Sequence, residues 1–302
     1  MKIWVNPIGF NHANELIKNN SVDYVIVGVK HRMSCYNTCL LTLAQIKQIN
    51  CPKIVVSLNN LYVESQLKEI VKILKFLKNI KIKTIIFLDF AIKQICDEIN
   101  YKPNFVYYSE TLLTNYGQLP FFKKNNINNV VLSNKLFLNE IKQIANNSHG
   151  IKLHMQAEGY DLVMRSKWKL LSNFGKQFKI NKKFNNNYFF LKEETRDLAN
   201  IISQDETGSY IFTGYNLSIL NFLDQLSEWV DSIFFLSYLH DKKWVDRNIK
   251  IYTEAIKSIK NKFFVKNKQN FINEINKINH ISSGGFLSSS KGLLHLKRID
   301  NE

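Results

Sequence analysis

Residues 150–174, GIKLHMQAEGYDLVMRSKWKLLSNF, are the stretch on which the fold turns. Apolar side chains alternate at Ile151, Leu153, Met155 and Ala157, the period of two that marks a strand. The strand runs into Glu158-Gly159, and a basic-aromatic segment, Arg165-Ser166-Lys167-Trp168-Lys169, precedes a short block at 170–174. If the strand belongs to a parallel barrel, that segment sits at the carboxyl-terminal mouth, where such barrels keep their chemistry.

Upstream, one unit repeats. Strand patterns at residues 2–6, 22–28, 53–59, 83–88, 104–110 and 129–133 alternate with helical ones. The clearest helix is 63–77, with Leu67, Ile70, Val71, Leu74 and Leu77 at three-four spacing. The run at 22–28 is apolar throughout, as strands buried on both faces are. Downstream come a helix over 217–230, a closing strand at 232–236 and a long helix over 244–260, whose inner face is Ile249, Tyr252, Ala255, Ile256 and Ile259. This alternation predicts a parallel α/β architecture, and a strand count approaching eight favours a closed TIM-like (β/α) barrel over an open doubly wound sheet.

Between the seventh and eighth strands the pattern breaks. Residues 175–187 (GKQFKINKKFNNN) read as a basic loop, and 188–191 with 210–213 as short β structure around Glu193, Glu194 and Arg196. The predicted organisation is the amino-terminal part of the barrel over 1–174, a basic loop and small β-containing insertion over 175–216, the closing strand and helices over 217–262, and a tail over 263–302. Within the tail, 282–291 (SSGGFLSSSK) is Gly/Ser-rich and reads as flexible.

A chain of 302 residues can bury a full core. Its longest apolar runs, 84–88 and 233–239, are far short of the roughly 20 residues that cross a bilayer, and Met1 leads straight into a strand pattern. The expectation is a soluble, cytoplasmic protein with no membrane partner. The net charge of +16 has two readings. One is a polyanionic partner, bound by neutralising phosphates and releasing counterions. The other is the codon usage of an AT-rich genome, with lysines spread over solvated faces.

Cys35, Cys39, Cys51 and Cys96 are too few and too scattered for a disulfide framework. Cys35 and Cys39 are separated by three residues without a second pair, so buried thiols are expected. His31, His154, His240, His280 and His295 lack ligand spacing, and no metal site is predicted.

Candidate functional residues cluster at strand ends. Ser109, Glu110 and Asn115 lie at and just after one of them. Glu110 reads either as an acid, base or hydroxyl holder, or as a loop-ordering carboxylate paired with an arginine or the backbone. Ser109 has no His/Asp partners in triad order. Arg165, Lys167, Trp168 and Lys169 interleave charge with a ring, which pairs phosphates while stacking an unpaired base, or else forms a solvated loop. The polar loop at 29–37 (VKHRMSCYN) brings His31 and Arg32 towards the same mouth, and Arg32 joins the candidate RNA contacts.

The opening stretch also resembles the signature of the collagenase-like peptidases, family U-32, which runs roughly His-Gly-x-x-Cys, six residues, Cys-Leu-Leu-Ser-Asn-Tyr. Gly159 and residues 170–174 match, while the histidine slot holds Glu158 and the cysteine slots hold Leu162 and Lys169. Further stretches match in order: 23–28 (DYVIVG), 56–59 (VSLN), 108–116 (YSETLLTNY), 191–196 (LKEETR), 205–216 (DETGSYIFTGYN) and 230–232 (VDS). After the last of these the family has Lys-x-Glu-Gly, where this chain has Phe234-Phe235-Leu236-Ser237.

The resemblance implies a TIM-like barrel with its site at the mouth. It also implies that related enzymes hold an iron-sulfur cluster on four thiolates, two in these slots and two in the insertion. With all four absent, no cofactor is expected here. Family members include enzymes that hydroxylate RNA bases, among them a prephenate-dependent route to 5-hydroxyuridine at the tRNA wobble position. This chain resembles a short, cluster-less kind, through Ser166-Lys167 and Leu170-Leu171. The implied partners are tRNA and a longer, cysteine-bearing U-32 paralogue that carries the redox centre. Two other readings stand beside it: the peptidase activity of the family name, and a non-catalytic barrel that binds an anionic metabolite or a protein. Gly285-Phe286 resembles a tail segment that folds back on the barrel.

Overall fold

The computed structural model describes residues 1–110, 112–195, 197–279 and 281–288. The chain opens with β1 (Lys2–Val5), α1 (Gly9–Lys18), β2 (Tyr24–Val29), the two-residue β3 (Leu40–Leu41), α2 (Leu43–Gln48) and β4 (Ile54–Leu58). It continues through α3 (Leu67–Asn79), β5 (Thr84–Phe87), α4 (Ala91–Glu98), β6 (Asn104–Tyr107), α5 (Leu119–Lys124), β7 (Asn129–Val131), α6 (Leu138–Asn146) and β8 (Lys152–Ser166). After α7 (Leu170–Gln177) come β9 (Asn187–Leu191), β10 (Asn200–Gln204), β11 (Ser209–Ser218), α8 (Leu223–Trp229), β12 (Ser232–Phe235), α9 (Lys242–Lys260), α10 (Phe264–Ile278) and β13 (Ser282–Ser283).

Eight of these strands close on themselves. β1, β2, β4, β5, β6, β7, β8 and β12 pair in that order, all parallel, and β12 returns to β1 through Lys2↔Ser232 to Val5↔Phe235. The expected TIM-like barrel is what forms. Alternation along each strand makes two cores. Trp4, Ile26, Val55, Ile86, Val106, Val131 and Phe234 pack one inside the barrel. Their neighbours Ile3, Val25, Val56, Ile85 and Phe105 pack the other against the helices. The space left inside is about 30 Å³, room for a water or two, so the centre of the barrel is filled rather than hollow.

The helices follow from local chemistry. At α2, Thr42 Oγ1 accepts from Gln45 N at 3.3 Å while Gln45 Oε1 accepts from Thr42 N at 3.0 Å, a reciprocal cap. Asp241 caps α9 by accepting from Trp244 N at 2.8 Å. The expected inner face of α9 is buried at Ile249, Tyr252, Ala255 and Ile256, with Ile259 partly so.

Departures from expectation come after the seventh barrel strand. β8 does not stop at the barrel rim: it continues to Ser166 and pairs antiparallel with β11. β10 and β9 extend the same sheet outwards. The segments 188–191 and 210–213 are β structure as expected, in β9 and β11, with β10 paired between them. β10 (NIISQ) shows no alternation, because it is buried on both faces once the sheet forms. The expected loop at 175–187 begins inside α7.

The region expected to be a tail starts with α10, whose Phe264 and Ile275 join the outer core. The Gly/Ser run is tied down where it begins, with Ser282 and Ser283 paired to Asn216 and Leu217. Residues 289–302, Thr111, Arg196 and His280 lie outside the described residues, and His295 falls among them.

Candidate functional site at the barrel mouth

Four strand ends supply the mouth: those of β2, β4, β6 and β8. The loop after β2 is held in an unusual backbone. His31 and Arg32 both have φ 62°, and Tyr36 has φ 34°, in the left-handed region that side chains disfavour. Tertiary bonds hold it there. Ser34 Oγ accepts from Val29 N at 2.8 Å and donates to Ser57 O, Tyr62 OH donates to Met33 O at 2.8 Å, and Asn60 Nδ2 donates to Arg32 O at 2.7 Å. The result is that Cys35 and Tyr36 are pressed into the mouth and buried.

There they meet a polar knot. Tyr36 OH donates to Glu110 Oε1 at 2.6 Å. Arg165 Nη1 donates to the same oxygen at 3.3 Å and to Asn59 O at 3.2 Å, and Nη2 donates to Asn60 Oδ1. The side chains of Arg165 and Glu110 are only 10% and 12% exposed. Burial raises the Glu110 carboxyl above its ordinary value, against the pull of the Arg165 charge and the Tyr36 bond. Glu110 itself has φ 65°, so its position is set by the knot and not by its own backbone preference. Over it lie rings of the insertion, Tyr210 at 5.4 Å and Phe212 at 6.3 Å from Tyr36, with Tyr238 at 6.3 Å. A second network stands on the β7 side, where buried Asp161 accepts from Asn134 Nδ2 at 3.0 Å and from Lys135 Nζ.

The sequence candidates separate. Glu110 and Arg165 come together, and Ser109 is buried at the end of β6. Asn115 is exposed on the turn before the short helical turn Tyr116–Gln118. Arg165 faces inwards, while Lys167 is exposed and Trp168 is 71% exposed. Lys169 is half-buried at the start of α7. Arg32 is exposed, and its carbonyl is held by the same Asn60 that binds Arg165, so it stands beside the knot. Tyr36 and Asn60 were not singled out from sequence. The one local signal was the pair of asparagines closing an apolar strand.

The motif slots have physical occupants. A bulge between Gln156 and Glu158 turns Glu158 out of the lumen, where it is fully buried. Ser218 Oγ donates to its Oε1 at 2.5 Å, Tyr252 OH to the same oxygen at 2.8 Å, and Asn279 Nδ2 to Oε2 at 3.1 Å. Burial raises this carboxyl to about 7, although the three bonds pull it down. Gly159, at φ 111°, passes so close to β12 that a Cβ would lie 2.2 Å from Leu236 O.

Leu162 is buried opposite Phe212 and offers no donor atom, and Lys169 offers an amine in place of a thiolate. These side chains do not fit a thiolate-held iron-sulfur cluster. Among the described residues, no group of three or more His, Cys, Asp or Glu is placed to hold a metal ion. Cys35 lies in the lumen core and Cys39 in the outer one, so their thiols face opposite sides. Burial pushes Cys39 and Cys96 up to about 12 and Cys35 higher still, which keeps all three protonated and unreactive.

A parallel barrel whose seventh strand runs on into an antiparallel insertion that roofs its own mouth is the class this fold and site define. The chain belongs to Peptidase family U32, whose model matches residues 12–296. It is 25% identical over 209 residues to tRNA hydroxylation protein P2 of Bacillus subtilis, a match covering 68% of this chain and 67% of that protein. It is also 25% identical over 236 residues to an uncharacterized protease of Methanocaldococcus jannaschii, covering 75% of this chain and 56% of that protein. The chain thus spans little more than half the length of the second relative. Among the described residues, no helix is long and apolar enough to cross a membrane.

Proposed function

We propose that this chain is a non-redox subunit in tRNA wobble-uridine 5-hydroxylation, acting in the cytoplasm. It supplies RNA contacts and carries no cluster of its own, while a longer, cysteine-bearing U32 paralogue holds the redox centre. The observation that carries the reading is the occupancy of the mouth. Where the family resemblance implies two cluster ligands, Leu162 is packed into an apolar core and Lys169 starts a helix, and the space beneath is closed by the Arg165–Glu110 pair. Around that closed mouth, Arg32, Lys167 and Trp168 stay exposed, two cations and a ring suited to phosphate and to an unpaired base. The name of the Bacillus subtilis relative is consistent with this assignment.

The peptidase reading has no comparable support. Ser109 is buried, and the nearest carboxylate in sequence, Glu110, is committed to Arg165 and Tyr36. The test is deletion of this chain followed by mass spectrometry of tRNA nucleosides. Loss of wobble 5-hydroxyuridine is expected, and an unchanged level sinks the proposal. Retention of the longer paralogue on a tagged copy of this chain checks the subunit arrangement.

A further inference from the structure

Half of the chain's net charge of +16 sits in about a tenth of its length. Residues 162–192, between Asp161 and Glu193, contain eight lysines and arginines and no carboxylate. Codon usage that spreads lysine evenly over solvated faces does not produce such a block.

The fold gathers this block onto one module. α7 packs on β10, with Ser172 N donating to Gln204 Oε1 at 3.1 Å and Gln204 Nε2 donating to Ser172 Oγ at 2.7 Å and Asn185 Oδ1 at 2.6 Å. Gln204 is fully buried, so one side chain fixes both walls of the turn that follows the helix. Phe184 folds back onto Gly175, where a Cβ would fall 2.3 Å from its ring. The turn encloses an open groove of about 490 Å³, and Lys176, Lys179, Lys182 and Lys183 line it with their side chains exposed.

Aromatic rings stand exposed on the same module. Phe174 and Phe178 are 4.6 Å apart on and just after α7. Tyr188 and Phe190 are also exposed, but they project from the opposite face of the edge strand β9, since Phe189 between them packs on Phe184 at 5.6 Å. Exposed rings in this number mark a surface that something covers. Protein interfaces are depleted of lysine at their centres, whereas grooves for single-stranded nucleic acid combine lysines along the backbone with rings on which bases stack.

We propose that the groove between α7 and the turn at 179–185 takes an unpaired RNA segment, with phosphates on Lys179 and Lys183 and a base against the Phe174–Phe178 pair of the adjoining helix. A duplex hides its base faces, so the rings select for unpaired RNA. The inference rests on the RNA-contact reading above and adds a second surface to the rim formed by Arg32, Lys167 and Trp168.

The test uses the full chain and fluorescence anisotropy with a labelled unpaired oligoribonucleotide and a duplex of equal length, over a range of salt. The variants are Lys179→Glu with Lys183→Glu, Phe174→Ala with Phe178→Ala, and, as a control on the outer wall, Lys68→Glu with Lys75→Glu in α3. The lysine pair is expected to weaken unpaired RNA at least tenfold and to reduce the salt slope by about 1.4, two phosphates at ~0.7 each. The aromatic pair is expected to weaken it about five- to a hundredfold at unchanged slope, and to leave duplex binding as it was. The α3 pair has a smaller effect than either, and circular dichroism confirms that every variant is folded.

Equal affinity of the native chain for duplex and unpaired RNA, or no loss in either insertion pair, overturns the inference. Its failure is separable from that of the hydroxylation role. If deletion removes wobble 5-hydroxyuridine and the insertion variants restore it fully, the groove assignment fails alone. If deletion changes no nucleoside while the variants still lose unpaired RNA, the groove stands and the hydroxylation role falls.

Discussion

Arg165 and Glu110 are 55 residues apart in sequence and meet at 3.3 Å, both nearly buried, with Tyr36 donating to the same carboxylate oxygen. The pair fastens the insertion to the barrel mouth, since Arg165 lies on β8 beyond the rim and Glu110 just after β6.

Arg165→Met leaves Glu110 buried with no cation beside it, and is expected to cost about 3–5 kcal/mol, the usual result of breaking a buried pair. Adding Glu110→Gln to the same chain restores part of that, because the uncompensated charge is gone. Urea denaturation of the single and double variants measures both. A single variant as stable as the native protein contradicts the account.

Glu158 gives a pH signature. Its carboxyl is raised from 4.5 to about 7 by burial, so the folded chain holds a proton there that the unfolded chain releases near 4.5. Stability from this group is therefore full below about pH 4.5, falls as pH rises towards 7 and is level above, with a span on the order of 3 kcal/mol. His154 and His240, pushed down to about 3 by burial, act in the opposite sense, adding stability as pH rises through the range below 6.5. The difference between native protein and Glu158→Gln isolates the carboxyl. That difference should change between pH 5 and 8 in denaturant titrations, and a constant difference would remove the buried acid from the argument.

Gly159→Ala combines a φ of 111° with a Cβ 2.2 Å from Leu236 O, so β8 and β12 must separate where the bulge begins. A loss of more than about 2 kcal/mol is expected, or no soluble protein. Thermal unfolding compared with Gly9→Ala, where a Cβ meets nothing within 4 Å, distinguishes crowding from backbone preference alone.

At the rim, Trp168→Ala is expected to weaken tRNA binding by about 1–3 kcal/mol without changing its salt dependence, as loss of one stacked base does. Lys167→Ala should instead lower the salt slope by about 0.7–0.9. Titrations at several salt concentrations separate the two effects. Equal slopes for both variants would show that Lys167 meets no phosphate.

How much of this was legible varies with range along the chain. The barrel units could be read from 22–28 and 63–77 because a strand or helix writes its period into neighbouring residues. Glu110 was legible as a residue at the mouth because it follows an apolar strand directly, and one of its two readings, a carboxylate paired with an arginine, is the contact seen. Its partner was not legible, since Arg165 looked like a surface cation when judged by Lys167 and Trp168 beside it. β10 was missed because burial on both faces removes alternation, and α10 because its segment followed what looked like the final helix.

The sequence by itself determined the alternating elements, the closed parallel barrel and the break in the pattern after the seventh strand. Only the tertiary structure decided that Arg165 points inwards, that a bulge turns Glu158 away from the lumen, and that the lysines of 176–183 line one groove. The physical reason is distance along the chain. Periodicity and turn chemistry act between near neighbours, whereas a buried ion pair or a bulge exists only where segments many residues apart are forced into the same small volume.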